Sequence, residues 1–361
     1  MEFLFDYGLF LAKIATVVVS IIAILVVAKA VSGKSAGAKG ELEVSNLTEQ
    51  YKDTVAELEH HLFDDAELKA RAKAEKKANK EAEKKANKEA DKAKQKEVKQ
   101  AAKSGELELK RDARLFVLDF KGSIDAKEVA ALREEVSAIL AISVEGDEVL
   151  LRLESGGGMV HGYGLASSQL DRLRDANIKL TVSVDKVAAS GGYMMACIGE
   201  KIIAAPFAIV GSIGVVAQLP NFSKLLKKND IEFEQLTAGE YKRTLTMFGE
   251  NSDKAREKFQ LELEETHVLF KDFIHEHRAE LDLEKVATGE HWFGKQALEL
   301  GLIDAIQTSD DYVTQACKNR EVLAIHYVQK KKLSDKIAGV AGQSAENVFM
   351  RLISKGQRPI V

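Results

Sequence analysis

The residues best suited to chemistry lie in the stretch Asp185-Lys186-Val187-Ala188-Ala189-Ser190-Gly191-Gly192-Tyr193. A strand-like run, Leu180-Thr181-Val182-Ser183-Val184, leads into it. A small-residue apolar segment from Met194 to Gly199 follows and is suited to begin a buried helix. A serine at such a turn, followed by two glycines, stands exposed while backbone N–H groups point at whatever it attacks. Acyl transfer requires that arrangement. A tight turn with an incidental serine uses the same residue types, so this stretch alone does not decide between them.

A second glycine cluster bears on the choice. Val149 to Glu154 reads as a strand and runs into Ser155-Gly156-Gly157-Gly158-Met159-Val160, after which Leu165, Leu170 and Leu173 carry a helical pattern. Two strand–glycine–helix units can set backbone donors beside a nucleophile as an oxyanion hole. A serine hydroxyl also needs a base near neutral pH. His161 is the histidine nearest in sequence, and none lies between it and His267. A lysine can serve instead if burial lowers its pKa toward operating pH. His267, His275, His277 and His291 invite a metal reading. However, His275 and His277 are two residues apart on an expected helix and face different sides, which suits no common zinc motif, so no metal and no cofactor are expected. The two cysteines, Cys197 and Cys317, have no spacing that suggests a disulfide framework.

With these two motifs and Val210-Gly211-Ser212-Ile213-Gly214-Val215 in that order, residues 1 to 328 resemble the signal-peptide-peptidase family of membrane serine peptidases. The resemblance implies a Clp/crotonase-like spiral, peptide hydrolysis without metal or nucleotide, and a homo-oligomer whose catalytic pairs are built across subunits. It implies Ser190 as nucleophile and Lys242, in Gly239-Glu240-Tyr241-Lys242-Arg243-Thr244, as its base. It further implies that the Ser212 hydroxyl orients the lysine amine and that Gly158 and Gly191 carry the oxyanion donors. Where that family usually has Ser-Pro-Gly-Gly, this chain has Ser155-Gly156-Gly157-Gly158, and glycine at 156 frees a φ that proline would fix.

Elements that could position these residues follow from Arg114 onward. Leu115 to Phe120, Val149 to Glu154 and Leu180 to Asp185 read as strands, while Asp125 to Ile142 and Gly162 to Asp175 read as helices. This alternation predicts α/β layers with parallel pairing. Lys201 to Ala205 and Val215 to Gln218 are short strand candidates, and Asp253 to Glu280 and Gly294 to Leu300 are helix candidates. Val187 to Val216 is apolar enough to resemble a membrane span, but Glu200, Lys201, Pro206, Gly211 and Gly214 break it, so it is expected in the core.

The N-terminal third is organised differently. Tyr7 to Ala28 is interrupted only by Lys13, and a helix of that length crosses a hydrocarbon core of roughly 30 Å. The acidic start, Glu2 and Asp6, favours an uncleaved anchor over a signal peptide. Lys29, Lys34 and Lys39 follow the span, so the positive-inside rule places the C-terminal bulk in the cytoplasm, whereas the resemblance implies the periplasmic face of a bacterial inner membrane. Leu42 to Leu68 reads as a polar helix. Lys69 to Lys103 is Ala/Lys/Glu-rich, with 14 basic and 6 acidic side chains, and reads as a solvated helical or disordered arm or as a dock for anionic lipid. No aromatic residue is interleaved with its lysines, so nucleic acid is not an expected partner.

The expected organisation is therefore an anchor at 1–31, a linker and charged arm at 32–113, a catalytic α/β domain at 114–328 and a basic, Gly/Ser/Ala-containing tail at 329–361. With 361 residues and 45% hydrophobic content the chain can bury a large core. The expected partners are a peptide or protein substrate, membrane lipid and further copies of the chain. A crotonase-like acyl-CoA enzyme and a catalytically silent membrane scaffold are the competing readings.

Overall fold

The computed structural model describes residues 40–64, 66–67, 73 and 111–328. The expected anchor, nearly all of the Ala/Lys/Glu-rich arm and the tail lie outside the described residues. Among the described residues, no helix is long and apolar enough to cross a membrane.

Residues Glu43–His326 form one compact unit. The elements of the described chain run β1 (Glu41–Asn46), α1 (Leu47–Leu62), β2 (Leu115–Lys121), α2 (Val129–Ile142), β3 (Glu148–Glu154), α3 (Val160–Asp175), β4 (Lys179–Val184), β5 (Val187–Ala189) and α4 (Gly191–Ala196). They continue with β6 (Lys201–Ala204), β7 (Ile209–Gly211), α5 (Ser223–Lys228), α6 (Asp253–His277), α7 (Leu283–Val286), β8 (His291–Phe293), α8 (Gly294–Glu299), β9 (Ala305–Ile306), α9 (Ser309–Cys317) and β10 (Val322–Val328).

The main sheet has the order β1-β10-β2-β3-β4-β6-β9, and every pairing from β10 to β9 is parallel. Both faces are covered, which explains why β2 and β3 read as near-continuous apolar runs rather than alternating ones. Phe116, Leu118 and Phe120 point with Val149, Leu151 and Leu153 into a core shared with Leu132, Val136 and Ile139 of α2 and Leu170 and Leu173 of α3. Leu115, Val117 and Leu150 point the other way, against Leu47 and Tyr51 of α1 and Tyr312 and Ala316 of α9. Burying a Leu, Ile, Val or Phe side chain contributes about 1.5–3 kcal/mol, so these two layers dominate stability. A second sheet, β5-β7-β8, pairs β5 with β7 in parallel and β7 with β8 antiparallel. The mixed α/β architecture with a parallel-rich sheet fits the Clp/crotonase-like spiral.

Two expected elements differ. Leu42 to Leu68 is not one helix, because its first residues form edge strand β1 and the helix starts after Asn46, whose side chain accepts the Glu49 N–H. Thr48 then accepts the Val322 N–H, tying α1 to β10. Val215 to Gln218 forms no strand, and Val216 is 80% exposed despite its β-branched side chain. The apolar run from Val187 to Val216 is divided among β5, α4, β6 and β7, with Met195, Ile198, Ile202 and Val210 buried in the core.

A histidine pins α6 to α3. His277 Nε2 lies 2.8 Å from an Asp171 carboxylate oxygen, and Nδ1 lies 2.8 Å from the Phe273 carbonyl. Both partners only accept, so both ring nitrogens must carry protons and the ring is an imidazolium. The hydrogen bond to Asp171 raises its pKa above the ordinary value, against the opposing effect of burial. A raised folded-state pKa favours folding fully below the unfolded value, near 6.5, and this contribution is lost as pH rises through the folded value. Asp171→Asn should therefore lower the unfolding temperature most in mildly acidic buffer and least in alkaline buffer. An equal loss at both ends of a thermal-denaturation pH series would contradict the charged pair.

Candidate active site

Parallel pairing of β3 with β4 sets their C-terminal ends side by side, so the segments that follow them converge at one edge of the sheet, the usual ligand edge of α/β sheets. After β3 comes Ser155, which forms an isolated parallel bridge with Ala188. The Ser155 N–H donates to the Val187 carbonyl at 2.8 Å, and the Ala189 N–H donates back to the Ser155 carbonyl at 3.0 Å. The glycine loop is thereby clamped against β5, one residue before Ser190.

Ser190 occupies the turn between β5 and α4 with φ 53° and ψ −119°, a conformation that L-residues avoid. Strain of this kind costs about 1–3 kcal/mol and persists only where the surroundings impose it. Here the Ser190 N–H donates to the Gly211 carbonyl at 2.8 Å, and the Met194 N–H returns to the Ser190 carbonyl at 3.0 Å. The side chain is left half-buried at the head of α4. Because β5 pairs with β7, Ser212 follows directly beside it, itself at φ 52° and fixed by its N–H to the Glu290 carbonyl at 2.6 Å.

The proton positions around the glycine loop can be assigned. Tyr163 donates its single hydroxyl proton to the Ser123 carbonyl at 2.9 Å. Ser155 Oγ, 2.5 Å from Tyr163 Oη, must then be the donor in that pair, leaving its lone pairs to accept the Gly157 N–H at 3.0 Å. Burial raises the Tyr163 phenol pKa, against the opposing hydrogen bond from Ser155, so it stays protonated and the relay keeps its direction. The Gly157 N–H is thus occupied, as is the Met159 N–H, which donates to the Ile124 carbonyl at 2.8 Å. Between them the Gly158 N–H has no acceptor among the described residues, and neither does the Gly191 N–H at the start of α4.

Two of the glycines admit no side chain. Gly157 has φ +85°, and a Cβ there would sit 2.7 Å from the Ala189 carbonyl and 2.8 Å from Ser190 Cβ. A Cβ on Gly158 would collide with the Ile124 carbonyl. At Gly156, by contrast, a Cβ meets nothing within 4 Å. Gly156→Ala is therefore expected to retain activity and to gain about 0.4–1 kcal/mol by restricting the unfolded chain. Gly158→Ala should abolish turnover by displacing the loop. Urea unfolding and steady-state rates on the two variants check both results, and a dead Gly156→Ala enzyme would show that the loop requires more freedom than its surroundings indicate.

Ser190, Ser212, Gly158 and Gly191 line one cavity of about 750 Å³, whose walls include Met194, Val215 and Phe270. Lys242 does not line it. It is exposed on a turn closed by its own N–H to the Gly239 carbonyl, and it borders a separate depression with Leu236 and Met247. His161 is exposed at the start of α3 and is likewise absent from the cavity wall. His267 does line it, and among the described residues it is the cavity's one titratable side chain. His267 was legible in principle, because it shares an i, i+3, i+7 face with Phe270 and Ile274, the two buried residues of α6. The Ser123–Tyr163–Ser155 relay carried no such signal, since Ser123 is remote in sequence from the other two and meets them only in the folded chain.

Residues 2–170 match the family model "Peptidase family S49 N-terminal", and residues 172–323 match "Peptidase family S49". The chain is also 49% identical over 358 residues to "Probable protease SohB" of Haemophilus influenzae, an alignment covering 99% of this chain and 98% of that protein. The chain belongs to peptidase family S49. Other relatives in this family agree over nearly their whole length. The proteins of the same name from Buchnera aphidicola subsp. Schlechtendalia chinensis and subsp. Acyrthosiphon pisum are 51% and 47% identical, covering 87% and 98% of this chain and 99% and 98% of theirs. The chain is thus a peptidase, and the boundary between the two family models falls within α3, so the glycine loop belongs to one and the Ser190 turn to the other.

Proposed function

We propose that this peptidase is a membrane-anchored serine endopeptidase in which Ser190 attacks the scissile carbonyl and Lys242 of a neighbouring protomer takes the hydroxyl proton. The observation that carries the proposal is the strained Ser190 turn facing two uncommitted N–H groups, Gly158 and Gly191, across one cavity. Attack forms a bond from Ser190 Oγ to the carbonyl carbon and moves the π electrons onto oxygen, where the two N–H groups stabilise the charge. The protonated lysine then passes its proton to the leaving amine, the C–N bond breaks, and water hydrolyses the acyl-enzyme by the same route in reverse. Ser212 would orient the amine.

Assigning the base to another copy follows from where Lys242 sits, away from its own cavity on a segment with little regular structure. That segment exposes Phe233, Leu236, Tyr241 and Phe248, with Leu236 at 95%, and exposed apolar clusters mark protein interfaces. His267 supplies an alternative base within the chain. Among the described residues its Nε2 makes no hydrogen bond, so neither a contact to Ser190 nor an orienting carboxylate supports it as the base. Substrates would be peptides such as signal-peptide remnants or membrane-protein segments, reached from an anchor at residues 7–28.

Treating carbonate-washed membranes with a fluorophosphonate tests the proposal. The expected result is a labelled Ser190 on a chain that still carries residues 7–28. Labelling at another residue, or a labelled chain released by the wash, would contradict it.

A further inference from the structure

The Gly158 N–H belongs to a run of three glycines, which have no Cβ to limit their backbone angles. A donor in such a run is preorganised only if the peptide units on either side are held from outside. The unit before it is held by the Gly157 N–H on Ser155 Oγ, at 3.0 Å, and the unit after it by the Met159 N–H on the Ile124 carbonyl, at 2.8 Å. The first of these holds depends on Tyr163. Its hydroxyl accepts the Ser155 proton at 2.5 Å and donates its own to the Ser123 carbonyl at 2.9 Å, which fixes the Ser155 rotamer and leaves an oxygen lone pair for Gly157. The same side chain supports the second donor. A Cβ on Gly191 would fall 2.5 Å from Tyr163 Cγ, so the ring lies directly against that backbone. Tyr163 and Ser155 are both buried, and neither lines the cavity.

We propose that Tyr163 is a positioning residue for the oxyanion hole, setting the Gly158 N–H through Ser155 Oγ and the Gly191 N–H through its ring, without touching substrate. The inference rests on the reading of Ser190 as nucleophile and of these two N–H groups as its oxyanion donors. A bound peptide makes little use of the hole in its ground state, whereas the tetrahedral oxyanion depends on it. A loosened hole therefore lowers kcat and leaves KM nearly unchanged. Proline at 156 offers a second route to the same rigidity. The Gly156 N–H has no acceptor among the described residues and a Cβ there meets nothing within 4 Å, so a fixed φ at that position can stand in for the lost hydrogen bond.

Full-length wild type, Tyr163→Phe, Ser155→Ala, the double variant and Tyr163→Phe with Gly156→Pro should be compared on one fluorogenic peptide. Counting active sites with a fluorophosphonate removes unfolded chains from kcat. Tyr163→Phe keeps the ring against Gly191 and is expected to lower kcat per titrated site on the order of tenfold, less than the 10²–10³ that loss of a whole donor costs, with little change in KM. A peptide aldehyde, whose serine adduct places its oxygen in the hole, should bind more weakly by the factor that kcat/KM loses. Ser155→Ala breaks the network at its other end and gives the same test if Tyr163→Phe does not fold. Because both act on one hold, the double variant should be no slower than Ser155→Ala alone. Gly156→Pro should raise kcat more in Tyr163→Phe than in wild type. An unchanged kcat per site in the single variants overturns the proposal. So does a loss seen only in KM or only in the number of titratable sites, which is what a merely structural residue produces, and so does a proline that helps both backgrounds equally. Wild type that cleaves the peptide but takes no label at Ser190 overturns the nucleophile reading instead, and so is told apart from a failure of Tyr163 alone.

Discussion

Ser190→Ala is expected to reduce peptide cleavage by a factor on the order of 10⁶, the scale on which removing a nucleophilic serine acts in enzymes of this kind. The chain should fold normally. The substitution removes one oxygen from a half-buried side chain that makes no hydrogen bond among the described residues, while the turn is held by the backbone bonds to Gly211 and Met194. Alanine is no better suited than serine to φ 53°, so the strain remains and no relaxation offsets the loss. Kinetics on purified protein, with circular dichroism to verify the fold, make the comparison. Activity above a few per cent of wild type would remove Ser190 from the mechanism.

Lys242→Arg should be as inactive as Lys242→Ala, with kcat/KM falling by about 10²–10⁴ or more in both, the range expected for a lost general base. Arginine keeps the charge and most of the length, but it cannot give up its proton at any accessible pH and so cannot accept one from serine. A role confined to surface charge predicts the opposite result, in which Arg is tolerated and Ala is not. Lys242 is exposed on its own protomer, so neither change should alter the unfolding temperature of the isolated catalytic unit appreciably.

The sequence disclosed the parallel sheet because β2, β3 and β4 are buried on both faces and their apolar runs are long enough to be recognised without periodicity. It also disclosed the two loops that meet at the sheet edge, since Ser-Gly-Gly and Gly-Gly-Gly each interrupt a strand-to-helix transition. β1 was obscured because Glu41-Leu42-Glu43-Val44 is an exposed edge strand whose local pattern merges with the helix after it. Val215 to Gln218 was misleading because β-branched residues signal a strand only where a partner strand exists. The clamp on the glycine loop was invisible, since Ser123, Ser155 and Tyr163 become neighbours only through tertiary folding. Lys242 was marked by family resemblance alone. On a turn outside any helix or strand, a catalytic lysine has the same local sequence character as a solvated one.

Co-expression of Ser190→Ala and Lys242→Ala chains tests the shared Ser190–Lys242 site most directly. Each variant alone should be inactive. In randomly mixed oligomers, half the serines and half the lysines at each interface are intact, so about a quarter of the sites should be complete if every site joins residues from two protomers. Recovery of roughly that fraction of wild-type activity, with the fluorophosphonate label on the Lys242→Ala chain, is the predicted result. A mixture as inactive as its components would contradict a dyad shared between protomers, and a Lys242→Ala chain active on its own would remove the lysine from the mechanism.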